Sequence, residues 1–241
     1  MSALLMHALQ YAGYCVEIML GAALVLNRRW RRVKGFSIYV FGLLCSDAVL
    51  RPVVLYRFGW SSSEYRYVYW STDVLLTLGA FLLISCFFKR ACEDKDELWA
   101  ILRRGLYVVF VIVLVVSFYS FSQDHSKAFA SFILNFQQNL YFVCLVLNTL
   151  LYIMMQQIVC SDDYLGLLVC GLGIQFAGPA ASFALIHLTP GDHSFVTLAY
   201  YVGPMCTLGM LLSWLYAVTR EPQLIPVRAP RRRHQVPVLA E

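Results

Sequence analysis

Seven long apolar stretches constrain this chain more than any other feature. They lie at about residues 3–27, 36–56, 67–88, 105–121, 129–158, 165–188 and 194–218. A membrane-spanning helix takes about 20 apolar residues. Hydrocarbon offers no water to backbone amides and carbonyls, so segments of this length cross it as helices. The expected fold is all-α, a polytopic membrane bundle of seven transmembrane helices. Seven spans use roughly 140–165 residues. The 241-residue sequence therefore divides into a seven-helix domain over 1–218 and a basic, Pro-rich, disordered tail over 219–241, with no second folded domain. Composition agrees. The chain is 60% hydrophobic and 14% charged, against about 45–50% and about 25% for soluble chains. That excludes an ordinary soluble domain, a disordered chain and a nucleic-acid-binding domain.

The charges orient the bundle. Arg28, Arg29, Arg31, Arg32 and Lys34 follow span 1. Lys89, Arg90, Lys95, Arg103 and Arg104 lie between spans 3 and 4, and Arg220, Arg228 and Arg231 to Arg233 lie in the tail. Only Arg57, Arg66 and Lys127 fall on the opposite side, and Arg51 lies within span 2. The positive-inside rule then places the N-terminus outside and the C-terminus in the cytoplasm, against an anionic inner leaflet. The first span is not read as a signal peptide, because the basic run follows it rather than precedes it. Trp60, Tyr65, Tyr67, Tyr69 and Trp70 form an aromatic girdle at the outer interface. The mixed-charge segment 89–104 reads as a cytoplasmic extension of span 3 or 4, with Trp99 at the interface.

Four ionisable residues remain inside the spans: Glu17, Asp47, Arg51 and Asp73. Each costs at least about 2.5–3.5 kcal/mol at the bilayer centre, so each needs a reason to be there. Asp47 and Arg51 stand four apart on one helix face and can pair. Glu17 and Asp47 lie near mid-membrane by residue count, and Arg51 and Asp73 lie in the outer third. The cluster reads either as an interhelical ion pair that fixes packing or as a ligand-binding or proton-carrying site. Gln137, Tyr141, Cys144 and Asn148 make one stripe of span 5, and Asn135, Gln138 and Asn139 cluster at its outer end. Hydrogen bonding between helices accounts for such polar residues, as does ligand contact. Pro interrupts three spans at Arg51-Pro52, Gly178-Pro179 and Gly203-Pro204, which reads as kinks or hinges. Gly178 and Ser182 form a small-xxx-small pair suited to close packing.

Several chemistries lack their residues. Lysine occurs only at Lys34, Lys89, Lys95 and Lys127, so no span centre offers a retinal Schiff base. His7 and His187 sit at span edges, while His125, His193 and His234 fall in loops or the tail. No HExxH, GxSxG or phosphate-loop motif occurs. The eight cysteines include none in an outer loop and no CxxC pair, so neither a disulfide framework, a metal site nor a cofactor is expected. An enzyme is unmotivated.

A seven-span chain with an outer N-terminus, a basic first inner loop and Tyr67, Tyr69 and Trp70 ahead of Asp73 resembles small bacterial seven-helix membrane proteins of unassigned role. It is also similar to the seven-helix sensory modules that precede histidine kinases or cyclases. The resemblance implies a multi-pass protein of the bacterial inner membrane. The first functional expectation is a non-enzymatic sensor-like or accessory protein binding a small or lipidic ligand in an outward pocket. Its polar floor would be Glu17, Asp47, Arg51 and Asp73, and segment 89–104 or the tail would contact a membrane or cytoplasmic protein partner. A small transporter, with two three-helix repeats around span 4, is the second. A packing subunit of a larger complex is the third.

Overall fold

The computed structural model describes residues 2–27, 34–59, 62–93, 95–122, 128–157, 162–188 and 193–220. The basic run from Arg28 to Arg32, Trp60, His125, Lys127, Cys160 and the tail from 221 onward lie outside the described residues, as do the side chains of His7, Asn135, His187 and His193. Among the described residues eight α-helices form: α1 (Ser2–Leu26), α2 (Lys34–Leu44), α3 (Arg51–Phe58), α4 (Ser63–Ala91), α5 (Asp96–Ser122), α6 (Ala128–Gln157), α7 (Asp163–Leu188) and α8 (His193–Thr219). A π-helical segment, Cys45–Leu50, joins α2 to α3, so the two make one continuous second span. Seven helices are thus long and apolar enough to cross a membrane, and the chain is an integral, multi-pass membrane protein.

The π segment has a local cause. Pro52 has no N–H, and its ring would collide with the carbonyl four residues back in a regular helix. The chain widens by one residue per turn just before it, and the Arg51 N–H bonds the Ser46 carbonyl five residues back. Pro179 and Pro204, by contrast, lie inside helices α7 and α8. Between α3 and α4, Gly59 takes a positive φ of 78°, a conformation side chains disfavour. Ser62 then caps α4 by accepting the Tyr65 N–H at 3.1 Å.

The mixed-charge segment 89–104 extends span 4, as its composition leads one to expect. The span begins nine residues earlier than the apolar run, because α5 starts at Asp96. Asp96 and Glu97 occupy its first turn, and Lys89 and Arg90 the last turn of α4. Both placements complement the helix dipoles. Segment 89–104 thus carries the end of α4, to Ala91, and the start of α5, from Asp96.

The helices pack as a ring in the order α1, α2, α4, α6, α7, α8 and back to α1. α5 lies outside that ring, against α6 and α4, and turns Tyr107, Ile112, Val115 and Phe118 outward. The dry core occupies one end of the bundle. Leu20, Leu24, Phe36, Phe87, Phe88, Leu151, Leu165 and Trp214 are all fully buried. They stand near the ends of their helices that carry Lys34, Lys89, Arg90 and Arg220. Trp214 is its centre, edge-on to Phe36 at 5.0 Å and Tyr39 at 5.9 Å, with its indole N–H donating to the Leu168 carbonyl at 3.0 Å. At the same end Arg90 bridges to Asp162 at 3.0 Å, and Asp162 also accepts the Leu165 N–H. This ties α4 to the start of α7.

α7 and α8 make the closest pair. A Cβ at Gly171 would lie 2.5 Å from Trp214 Nε1, and one at Gly178 would lie 2.8 Å from the Cys206 Cβ. Seven residues apart, Gly171 and Gly178 share a face, and their missing side chains let α8 approach. Ser182, the expected partner of Gly178, instead bonds back to the Gly178 carbonyl. Gly171→Ala should destabilise the bundle by about 1–3 kcal/mol through overpacking. Gly166→Ala, with nothing within 4 Å of the new methyl, should stay within about 1 kcal/mol of the wild type. Thermal unfolding in detergent measures both, and equal losses would sink the close-approach account.

Candidate functional site

The polar residues of the spans gather in the half of the bundle away from the Trp214 core, and Arg51 holds them. It leaves the chain at the π-to-α junction, which aims it at α4. Its Nη1 lies 2.8 Å from Asp47 Oδ1, one turn back along the π segment, and its Nη2 lies 3.3 Å from Asp73 Oδ1 on α4. Its Nε donates to Thr72 Oγ1 at 3.2 Å. The guanidinium also stacks 4.3 Å above the Tyr69 ring, a cation–π contact. A planar five-donor fork suits this many-sided grip; a lysine point charge would not. The Asp47 contact is held by charge, since Asp47 Oδ1 has no aligned hydrogen bond.

The network extends onto α6. Gln137 donates from Nε2 to the second oxygen of Asp73. Tyr141, one turn on, hydrogen-bonds with Thr77 and Gln137, and its ring packs 6.0 Å from Phe176 of α7. The Thr77 hydroxyl donates to the Asp73 carbonyl at 2.8 Å. Spans 2, 3 and 5 are thereby joined through Asp73. Glu17 approaches from α1. It is 4% exposed, its charged neighbours are Asp47 and Arg51, and its Oε2 has no hydrogen-bond partner among the described residues.

Six of the seven predicted binding residues thus assemble: Glu17, Asp47, Arg51, Asp73, Gln137 and Tyr141. Asn148 stands apart. Its amide donates to the Val169 carbonyl at 3.1 Å, a contact between α6 and α7 beside Gly173. The expected hinge residues also separate. Pro52 borders the π segment and so sets the aim of Arg51, Gly178 takes part in the α7–α8 contact, and Gly203 faces open space. Sequence reasoning missed three members. Thr72 looked like an ordinary span residue. Tyr69 reads by position as a girdle aromatic, yet its face carries Arg51. Ser46, buried and hydrogen-bonded to Asp47, gives no signal. Among the described residues, no group of three or more His, Cys, Asp or Glu could hold a metal ion.

No family model, curated protein or solved structure matches the chain.

Arg51 is 15% exposed, and Asp47 and Asp73 are 18% and 24% exposed. Removing the guanidinium leaves facing carboxyls in a low-dielectric setting. Arg51→Ala should therefore cost about 3–5 kcal/mol of stability. Arg51→Lys should recover only part of it, and adding Asp73→Asn to Arg51→Ala should recover more. A double-mutant cycle on thermal unfolding tests this; strictly additive losses would show that Arg51 and Asp73 are not coupled.

Proposed function

We propose that the protein is a non-enzymatic, sensor-like membrane protein whose Arg51 network receives a small or lipidic ligand. The observation that carries this reading is the network itself. A guanidinium, three carboxyls and an amide gather within one half of an apolar bundle, where ionisable groups ordinarily mark a functional site. An ion pair that served packing alone would not need Asp73 joined to a further helix, α6, through Gln137, nor Glu17 buried beside it. Ligand groups that compete for Asp73 or Tyr69 would loosen Arg51 and alter how spans 2, 3 and 5 are tied. By the positive-inside rule the network lies toward the outer surface of the cell membrane, with the C-terminus in the cytoplasm. The likeness to bacterial seven-helix proteins suggests the bacterial inner membrane. The α4–α5 turn and the tail are then placed to meet an anionic leaflet and a protein partner.

A ring of six spans with span 4 outside favours a second reading, a small carrier built of two three-helix halves. The ring puts α1 against α8 and α4 against α6, the contacts that exchange if spans 1–3 and 5–7 are equivalent.

Full-length protein in nanodiscs, screened by thermal shift against small metabolites and lipids, should yield stabilising ligands. Asp73→Asn should weaken their binding at least roughly tenfold, the loss of a charge-assisted hydrogen bond or more. A screen without hits, on folded protein, would overturn the ligand reading. Uptake of a hit into proteoliposomes would favour the carrier, and recovery of an output protein on the immobilised tail would favour the sensor.

A further inference from the structure

Arg103 and Arg104 lie on the surface of α5 without a counter-charge. Both are exposed, and neither makes an ion pair or hydrogen bond among the described residues. α5 starts at Asp96, so the two arginines stand two turns inside the helix, about 11 Å from its start. They fall within Asp96–Tyr119, a segment apolar enough to cross the membrane. After Glu97, α5 carries no acidic residue. A guanidinium inside a span is costly without a counter-charge, and this helix brings none to it.

The helix register explains their exposure. Leu106 and Val113 are buried, and Trp99 and Leu102 pack against the core, at spacings that put all four on one face. Arg103 and Arg104 stand off that face. α5 itself lies outside the ring of helices, so the two arginines meet the bilayer. The adjoining surface suits a lipid. Gly105 is exposed and leaves open space where a side chain would stand. Tyr107, Val108 and Val115 follow, all exposed. Cationic groups, a notch and an apolar stripe in that order match a phosphate headgroup, its glycerol and its acyl chains. Long arginine stems reach back to headgroup level, and a guanidinium holds phosphate through paired N–H donors. An acidic protein has no access two turns inside a span, whereas a phospholipid is already there.

We infer that Arg103, Arg104 and Gly105 form a binding site for an anionic phospholipid, one whose headgroup carries no ammonium to offset its phosphate. Basic sites beside spanning helices recognise such headgroups. The site belongs to the end of the bundle that carries Lys89 and Arg90, away from the Arg51 network, and does not depend on the ligand proposed there.

The probes are phosphatidylglycerol, phosphatidylcholine and soluble poly-glutamate, titrated into the full chain in a neutral detergent with Tm as the readout. Phosphatidylglycerol should raise Tm by about 5–10 °C at a hundredfold excess over Kd, and more than phosphatidylcholine does. Arg103→Gln combined with Arg104→Gln should raise its Kd at least roughly tenfold, the loss of a charge-assisted contact or more. Lys34→Gln combined with Lys89→Gln removes the same charge from the same end and should weaken binding less. Should the arginine variant fail to fold, Gly105→Leu keeps every charge, fills the notch and should also weaken binding. Equal increments from the two lipids would overturn the inference, as would equal losses in the two double variants. So would a poly-glutamate increment as large as the lipid's or, where the arginine variant does not fold, unchanged binding by Gly105→Leu. An empty ligand screen at the Arg51 network would leave these outcomes untouched.

Discussion

The structure depends on keeping one guanidinium satisfied inside an apolar bundle. Arg51 is always charged, and at this depth water cannot hydrate it fully. Its nitrogens reach Asp47, Asp73 and Thr72, and its face reaches Tyr69. Those four contacts come from two spans, and Asp73 carries the connection to a third through Gln137. Spans 2, 3 and 5 are consequently aligned by charge in the half of the bundle away from Trp214.

The other half is aligned by shape. Trp214 needs a partner for its N–H and room for its ring. The Leu168 carbonyl supplies the first, and the absent side chain of Gly171 supplies the second. The ion pair of Arg90 with Asp162 closes the same end. One end is therefore held by close packing and the other by an electrostatic network centred on Arg51. Apolar packing offers no soft alternative arrangement, whereas a polar network has several ways to be satisfied.

Much of this was legible in the residues. Span number and limits follow from hydropathy, because the lipid penalty on exposed backbone leaves few alternatives. The apolar run alone does not mark the start of span 4, where the charged residues of segment 89–104 extend α5 into the zone its dipole favours. The site was legible wherever a charge betrayed it: Glu17, Asp47, Arg51 and Asp73 are conspicuous in apolar spans. Asn148 carried the same polar signal as Gln137 and Tyr141 and yet serves the α6–α7 contact, since stripe spacing says which face a residue shares but not which neighbour it meets. Thr72, Tyr69 and Ser46 carry no signal that separates them from ordinary span residues.

What the sequence by itself determined is the membrane, the seven crossings and the four groups whose burial demands compensation. Those follow from transfer free energies, which are properties of residues and of local runs of them. The tertiary structure alone decided who compensates whom: that Asp73 rather than Glu17 shares Arg51 with Asp47, that Tyr69 faces the guanidinium instead of the lipid headgroups, and that span 4 stands outside the ring. It also decided that Pro52 widens the chain into a π turn rather than simply bending it. These outcomes depend on distances between residues far apart in the chain, and those distances exist only once the helices have packed.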